Sequence, residues 1–262
     1  MALTDKLIEQ ISQQLIKAEE GGQPIDAISG KFPDLSYADV YAIQLKTFDT
    51  KVKSGEVIVG KKIGLTSKVM QEQFNITEPD YGVISDRMVL REGSPIPTRK
   101  LILPRIEAEI AFLLKEDLKG PGVTVANVLE ATEGVLPAFE IIDSRFRDWK
   151  ITVKDSIADN ASSAAIDLGG KLTPVSDIDL RLIGMVLEKN GEVIATGAGA
   201  AALGNPAESV AWLANKLSEY DIALRKGEFV MSGSLVRAAV VEPGSLFRAS
   251  FDRLGSVCAV FE

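Results

Sequence analysis

The segment Leu103-Pro104-Arg105-Ile106-Glu107-Ala108-Glu109-Ile110-Ala111-Phe112 sets two carboxylates two residues apart in an apolar run. Read as a strand, it points Ile106, Ala108 and Ile110 one way and Glu107 and Glu109 the other. The two acids then lie about 7 Å apart, within reach of a single ion. A helix would place them on nearly opposite sides, and Pro104 with the flanking isoleucines weighs against it. A third acid, Glu140, interrupts Val135-Leu136-Pro137-Ala138-Phe139-Glu140-Ile141-Ile142. Carboxylates in apolar strands are rescued by an arginine or lysine, or by a metal. Two readings stand: structural acids paired with Arg105, Arg145 or Lys150, or ligands of one cation. Ligation by carboxylates alone selects hard Mg2+ or Mn2+ over zinc or copper.

Lys62 is the second group of interest. It sits in the glycine-bounded run Gly60-Lys61-Lys62-Ile63-Gly64 and is followed by Leu65-Thr66-Ser67. Thr66 or Ser67 can cap a helix starting at Lys68, whose free N–H groups would face an anion such as a carboxylate. Desolvation of a semi-buried lysine there would disfavour its charged form and ease proton transfer. The plainer alternative is a surface lysine with its head in water, the role expected of Lys61. Asp80, in Glu78-Pro79-Asp80-Tyr81-Gly82, fits a simple turn. The cluster Asp159-Asn160-Ala161-Ser162-Ser163 fits loop capping.

Composition narrows the chemistry. The 262-residue chain has no histidine and one cysteine, Cys258. Catalytic triads, imidazole bases, His-ligated zinc and Cys-rich clusters are therefore excluded within one chain. Carboxylates, lysine, hydroxyls and backbone dipoles remain. The formal net charge of −8 argues against nucleic-acid binding. No run reaches the roughly 18 apolar residues of a membrane span, and the N-terminus lacks the order of a signal peptide. A soluble cytoplasmic protein is the expectation, and the lone cysteine fits a reducing compartment.

The elements that must position these groups follow from periodicity. Ile8, Ile11, Leu15 and Ile16 predict a helix over 4–20, stopped by Gly21-Gly22. Ser36-Tyr37-Ala38-Asp39 predicts a capping box opening a second helix that ends near Gly55. Strands are predicted over 57–64, 101–114, 135–142, 180–188 and 193–195, with Asn190-Gly191 as a hairpin turn. Further helices are predicted from Thr124 to Glu133, closed by Gly134, and from Asn205-Pro206 to Tyr220. Gly197-Ala198-Gly199-Ala200-Ala201-Ala202 fits a loose dinucleotide fingerprint with Glu219 as its acid. It lies in a hairpin, however, and Pro206 starts the next helix too late, so close backbone approach is the better reading. The chain is predicted as α+β, with a helical N-terminal lobe over 1–56 and a β-rich catalytic domain over 57–262.

Several of these motifs taken together resemble the 2-keto-4-pentenoate hydratases of the fumarylacetoacetate-hydrolase-like superfamily, relatives of the 4-oxalocrotonate decarboxylases. They are Gly60-Lys61-Lys62-Ile63-Gly64-Leu65-Thr66-Ser67, Glu78-Pro79-Asp80-Tyr81-Gly82, Ile106-Glu107-Ala108-Glu109, Glu140-Ile141-Ile142-Asp143-Ser144-Arg145, Ala158-Asp159-Asn160-Ala161-Ser162 and Gly197 to Gly204. The resemblance implies a mixed β-roll or sandwich with a helical N-terminal lobe, a Mg2+ or Mn2+ site and a homo-oligomer. By the same resemblance Glu107, Glu109 and Glu140 match metal ligands, and Lys62 and Asp80 match proton-transfer residues. Leu65, Ser162 and Ser234 match substrate-site positions.

Pro79-Asp80-Tyr81-Gly82, Lys61-Lys62-Ile63, Asp148-Trp149-Lys150-Ile151 and Ser232-Gly233-Ser234-Leu235 look more like the hydratases. Ser162-Ser163 is closer to the decarboxylases. Arg145 runs into Asp148-Trp149-Lys150 without the insertion of the seven-carbon dicarboxylate subgroup, which favours a monocarboxylate substrate. The implied reaction protonates 2-hydroxypenta-2,4-dienoate at its far carbon and adds water at C4, giving 4-hydroxy-2-oxopentanoate in aromatic meta-cleavage catabolism. The alternatives are a 4-oxalocrotonate decarboxylase, or a non-catalytic subunit associated with a pathway partner enzyme.

Overall fold

The computed structural model describes residues 3–68, 71–72 and 75–262. Two helices open the chain, α1 (Asp5–Gly21) and α3 (Tyr37–Lys53), with the single turn α2 (Ile28–Lys31) between them. Thr4 caps α1 by accepting from the Leu7 N–H, and Gly22 ends it in the left-handed conformation. The capping box of α3 forms as predicted: the Ser36 side chain accepts from the Asp39 N–H, and the Asp39 carboxylate accepts from the Ser36 N–H.

Two sheets make the body. The larger orders its strands β2 (Asp80–Ser85), β1 (Ile58–Gly64), β9 (Phe229–Met231), β4 (Arg105–Leu114), β5 (Thr132–Ile142), β6 (Ser163–Leu168) and β3 (Val89–Leu90), with β10 (Ala239–Val240) also on β4. The smaller orders β12 (Gly255–Val260), β11 (Leu246–Phe251), β7 (Gly184–Lys189) and β8 (Glu192–Ala198). Helices α4 (Val125–Ala131), α5 (Val153–Ala158) and α6 (Pro206–Ser218) pack on this frame. No helix among the described residues is long and apolar enough to cross a membrane.

One hydrophobic cluster joins Ile11, Leu15, Val40 and Ile43 of the N-terminal helices to Ile63, Ile106, Phe112 and Phe139 of the large sheet and Phe247 and Val257 of the small one. The helical segment therefore shares its core with the β body. Fully buried Gln44 of α3 also donates to the carbonyls of Tyr81 and Ile157, linking the helix to β2 and α5.

Three expectations need correction. The helix expected over 124–133 ends at Ala131, and Thr132 already belongs to β5. Gly134, expected to close that helix, sits inside the strand where Leu172 and Thr173 press against it. Residues 101–104 are not strand: the Asp143 carboxylate takes the N–H groups of Ile102 and Leu103 in place of a ladder. Residues 180–183 form a 3-10 turn and its exit, and the strand starts at Gly184.

Candidate active site and metal centre

The register of the large sheet places the candidate residues on one face. Side chains opposite each other across a ladder share a face, and alternate residues along a strand do too. Glu107 stands opposite Glu140 across β4 and β5, with Glu109 one step along. Ala111 pairs with Met231, Met231 with Lys62, Lys62 with Gly82, and Gly64 with Asp80. Lys62, Asp80 and the three glutamates therefore project from the same side of β2-β1-β9-β4-β5. The other side carries Ile63, Tyr81, Phe112, Ala108 and Phe139 of the main core.

One carboxylate oxygen from each of Glu107, Glu109 and Glu140 lies within 4.8 Å of the other two. Glu109 and Glu140 are wholly buried and Glu107 half-buried. Glu109 Oε2 accepts from the Gly233 N–H at 2.9 Å, while Glu109 Oε1 and both Glu140 oxygens have no hydrogen-bond partner. Lys62 Nζ is 3.4 Å from Glu140 Oε2 and donates to the Ala161 carbonyl at 3.0 Å. Lys62 is the cation in ion-pair contact with the trio among the described residues. The structural-acid reading named Arg105, Arg145 and Lys150, and each is engaged elsewhere. Arg145 pairs with Asp159, Lys150 lies 3.5 Å from Asp148, and the Arg105 guanidinium stacks 4.5 Å above the Trp149 ring.

Three clustered carboxylates facing one ammonium are strongly perturbed. Burial, then the charge of Glu140, pushes Glu107 up to about 7. Glu109 is held well above the ordinary carboxylate range by burial and by both neighbours, and Glu140 is raised by burial. Buried oxygens without partners, in a set made of carboxylates only, fit a hard divalent cation. The residues present fit such an ion.

Lys62 departs from expectation. Burial does work against its ammonium, but the charges of Glu140, Asp80, Glu107 and Glu109 outweigh it, and its pKa ends above the ordinary lysine value. Four carboxylates on one face were not visible from Lys62's own segment. Asp80 is buried, its carboxyl is raised by burial, and its Oδ1 has no partner.

Leu65 leaves β1 in the left-handed region, φ 56°, with its carbonyl accepting from the Gln71 side chain at 2.8 Å. Lys68 is helical and the Gln71 N–H reaches the Ser67 carbonyl at 3.0 Å, while residues 69–70 of the predicted helix start lie outside the described residues. Ser162 is buried near Ser156, 3.4 Å between hydroxyls. Ser234 donates to the Val236 carbonyl at 2.6 Å, one residue from the Gly233 N–H that holds Glu109.

Asn160, Ala161 and Ser162 follow one another at φ 57°, 50° and 57°. Non-glycine residues pay about 1–2 kcal/mol each for this conformation, so the surroundings must impose it. They do: Arg145 grips Asp159 and the carbonyls of Asp159 and Ser163. The cluster expected to cap a loop thus builds a left-handed turn against the site. The Ala161 carbonyl and Gly233 N–H escape sequence reasoning because backbone groups carry no residue signature. The Gly197–Gly204 segment leaves β8 in a 3-10 turn over Gly199–Ala201, and a Cβ on Gly199 would meet the Leu180 carbonyl at 1.8 Å. Close approach, as expected, accounts for Gly197 and Gly199, whereas Gly204 has open space and a φ of +80°.

A trio of carboxylates on one sheet face is suited to a metal-dependent enzyme, and the pattern for the fumarylacetoacetate hydrolase C-terminal domain matches residues 55–262. The chain belongs to the fumarylacetoacetate hydrolase family. Within it, the chain is 46% identical over 218 residues to a 2-hydroxypent-2,4-dienoate hydratase of Pseudomonas putida, spanning 83% of this chain and 98% of that one. It is 42% identical over 262 residues to a 2-keto-4-pentenoate hydratase of Paraburkholderia xenovorans, spanning 99% and 97%. The solved 4-oxalocrotonate decarboxylase from Pseudomonas putida G7, complexed with magnesium and adipate, superposes with a TM-score of 0.97 at 38% identity, covering 100% of this chain and 99% of that one.

Proposed function

We propose that this enzyme is a hydratase that adds water to 2-hydroxypenta-2,4-dienoate to give 4-hydroxy-2-oxopentanoate. The carrying observation is the convergence of Glu107, Glu109 and Glu140 on one point, with Lys62 against Glu140. These three residues would hold Mg2+ or Mn2+, which when bound supplies Lewis acidity to the carboxylate and 2-oxygen of a 2-oxo acid. Lys62 Nζ and Asp80 Oδ1 carry the protons, being the titratable groups beside the trio in a chain without histidine. Leu65, Ser162 and Ser234 line the substrate. Ala111, Ala138, Ile166 and Met231 form an apolar cluster on the same sheet face as the glutamates.

Dienoate absorbance should decay with Mn2+ and stop decaying with chelator. A flat trace at several pH values overturns the proposal. The second reading, decarboxylation, is favoured by the structural likeness to the decarboxylase. Release of CO2 from 4-oxalocrotonate, faster than hydration of the dienoate, would establish it instead.

A further inference from the structure

Asn160 makes contacts beyond those of a loop residue. Its carboxamide takes both backbone groups of Val83: Oδ1 accepts from the Val83 N–H at 2.8 Å and Nδ2 donates to the Val83 carbonyl at 2.9 Å. A side chain thus completes the outer edge of β2 as a neighbouring strand would. This edge lies one residue beyond Gly82, the register partner of Lys62. A Cβ at Gly82 would meet the Asn160 carbonyl at 2.8 Å, Asn160 Oδ1 at 2.9 Å and Lys62 Cγ at 3.1 Å. Glycine therefore lets the turn and the lysine stem lie against the same strand. The next residue of the turn, Ala161, presents its carbonyl to Lys62 Nζ at 3.0 Å.

We infer that Asn160 is a positioning residue for Lys62: its two-point clasp on Val83 sets the left-handed turn so that the Ala161 carbonyl holds the ammonium in line with the carboxylate face. The inference rests on the reading of Lys62 as a proton carrier. A lysine has four rotatable stem bonds, and Glu140 touches its head on one side without making a hydrogen bond. The Ala161 carbonyl supplies the directional contact on another. Arg145 and Asp159 anchor the start of the turn, and Asn160 fixes its height on the sheet edge. Cutting the clasp lets the carbonyl drift, and a displacement of about 1 Å at a proton carrier costs on the order of 100-fold in rate. Neither the carboxylate trio nor its Gly233 contact depends on Val83.

The test is a double-mutant cycle on the full chain with Mn2+, using Asn160→Ala and Lys62→Met. Asn160→Ala should lower kcat about 30- to 100-fold, with KM and the Mn2+ affinity of the protein alone moving less than about 3-fold. In the Lys62→Met background the same change should lower the residual kcat by less than about 3-fold, because the residue it acts through is gone. Equal losses in both backgrounds, or a loss confined to KM, would overturn the inference and point to an effect through Ser162 or the fold at large. A fully active Lys62→Met enzyme would overturn the proton-carrier reading itself, and the inference with it. Should Asn160→Ala not fold, Asn160→Asp keeps the acceptor for the Val83 N–H and enters the same cycle. It should show an intermediate loss of kcat, and unchanged kcat would count against the clasp.

Discussion

Gly64 and Asp80 are register partners at the end of the β1–β2 ladder, and a methyl group at position 64 would lie 2.2 Å from Asp80 Oδ1 and 3.2 Å from Lys62 Nζ. The glycine is the space in which the Asp80 carboxyl and the Lys62 ammonium meet. Gly64→Ala should leave the fold nearly intact, since the atoms in the way end flexible side chains. It should lower kcat about 100-fold by turning Asp80 aside. Unchanged kcat in a folded variant would show that the contact has no part in turnover.

Glu109→Gln separates stability from activity. The glutamine keeps an oxygen for the Gly233 N–H but removes one of three crowded buried carboxyls, whose ionisation burial and its neighbours oppose. In metal-free protein it should raise the stability by about 1–3 kcal/mol, while abolishing turnover. With saturating Mn2+ the wild type should be the more stable of the two, because ligand at about 1,000 times its Kd contributes about 4.1 kcal/mol. Denaturant melts with and without metal read both signs.

The pH dependence follows from Glu107, whose carboxyl is raised from 4.5 to about 7. An acid raised on folding binds its proton more tightly in the native state. Its stabilising contribution is full below about 4.5 and is lost as pH rises through about 7. A metal held by the trio would bind its ionised form, so its affinity should change in the opposite sense and strengthen with rising pH. Calorimetric melts should show the gap between metal-loaded and metal-free midpoints widening from about pH 6 to pH 8. Parallel curves would contradict the assignment.

Asp167 offers a control remote from catalysis. It pairs with Phe139 across β5–β6 and so faces away from the glutamates. Burial and then the charge of Glu92 push it up to about 6, and its Oδ1 has no partner. The sign is that of Glu107: stability is full below 3.8 and lost through about 6. Asp167→Asn should therefore stabilise the protein above pH 6, by up to about 3 kcal/mol, and have little effect near pH 4. Urea midpoints at the two pH values test it.

Much of this site was legible in the sequence because its signals are local. Alternation over Ile106–Ile110 correctly separated Glu107 and Glu109 from the core-facing side chains. The serine of the Ser36–Asp39 capping box located the start of α3. The register that brings Glu140 opposite Glu107, and Lys62 onto the same face from three strands away, is non-local and left no trace in any one segment. The reversed direction of the Lys62 shift has the same origin. Helix 125–131 ended early because β5 needed Thr132 for its pairing with Leu114, a demand that a helix-favouring stretch cannot reveal.

Gln44 ties α3 at once to the carbonyl of Tyr81, beside Asp80, and to that of Ile157, just ahead of the left-handed turn. Phe48 from the same helix joins Ala111, Ala138 and Met231 in the second apolar cluster on the carboxylate side of the sheet. The family pattern begins at residue 55, yet the keystone of that side comes from upstream of it. Chimaeras that exchange the leading helices between homologues at this junction would inherit a mismatched brace, and the two portions are expected to drift through evolution as a single heritable block.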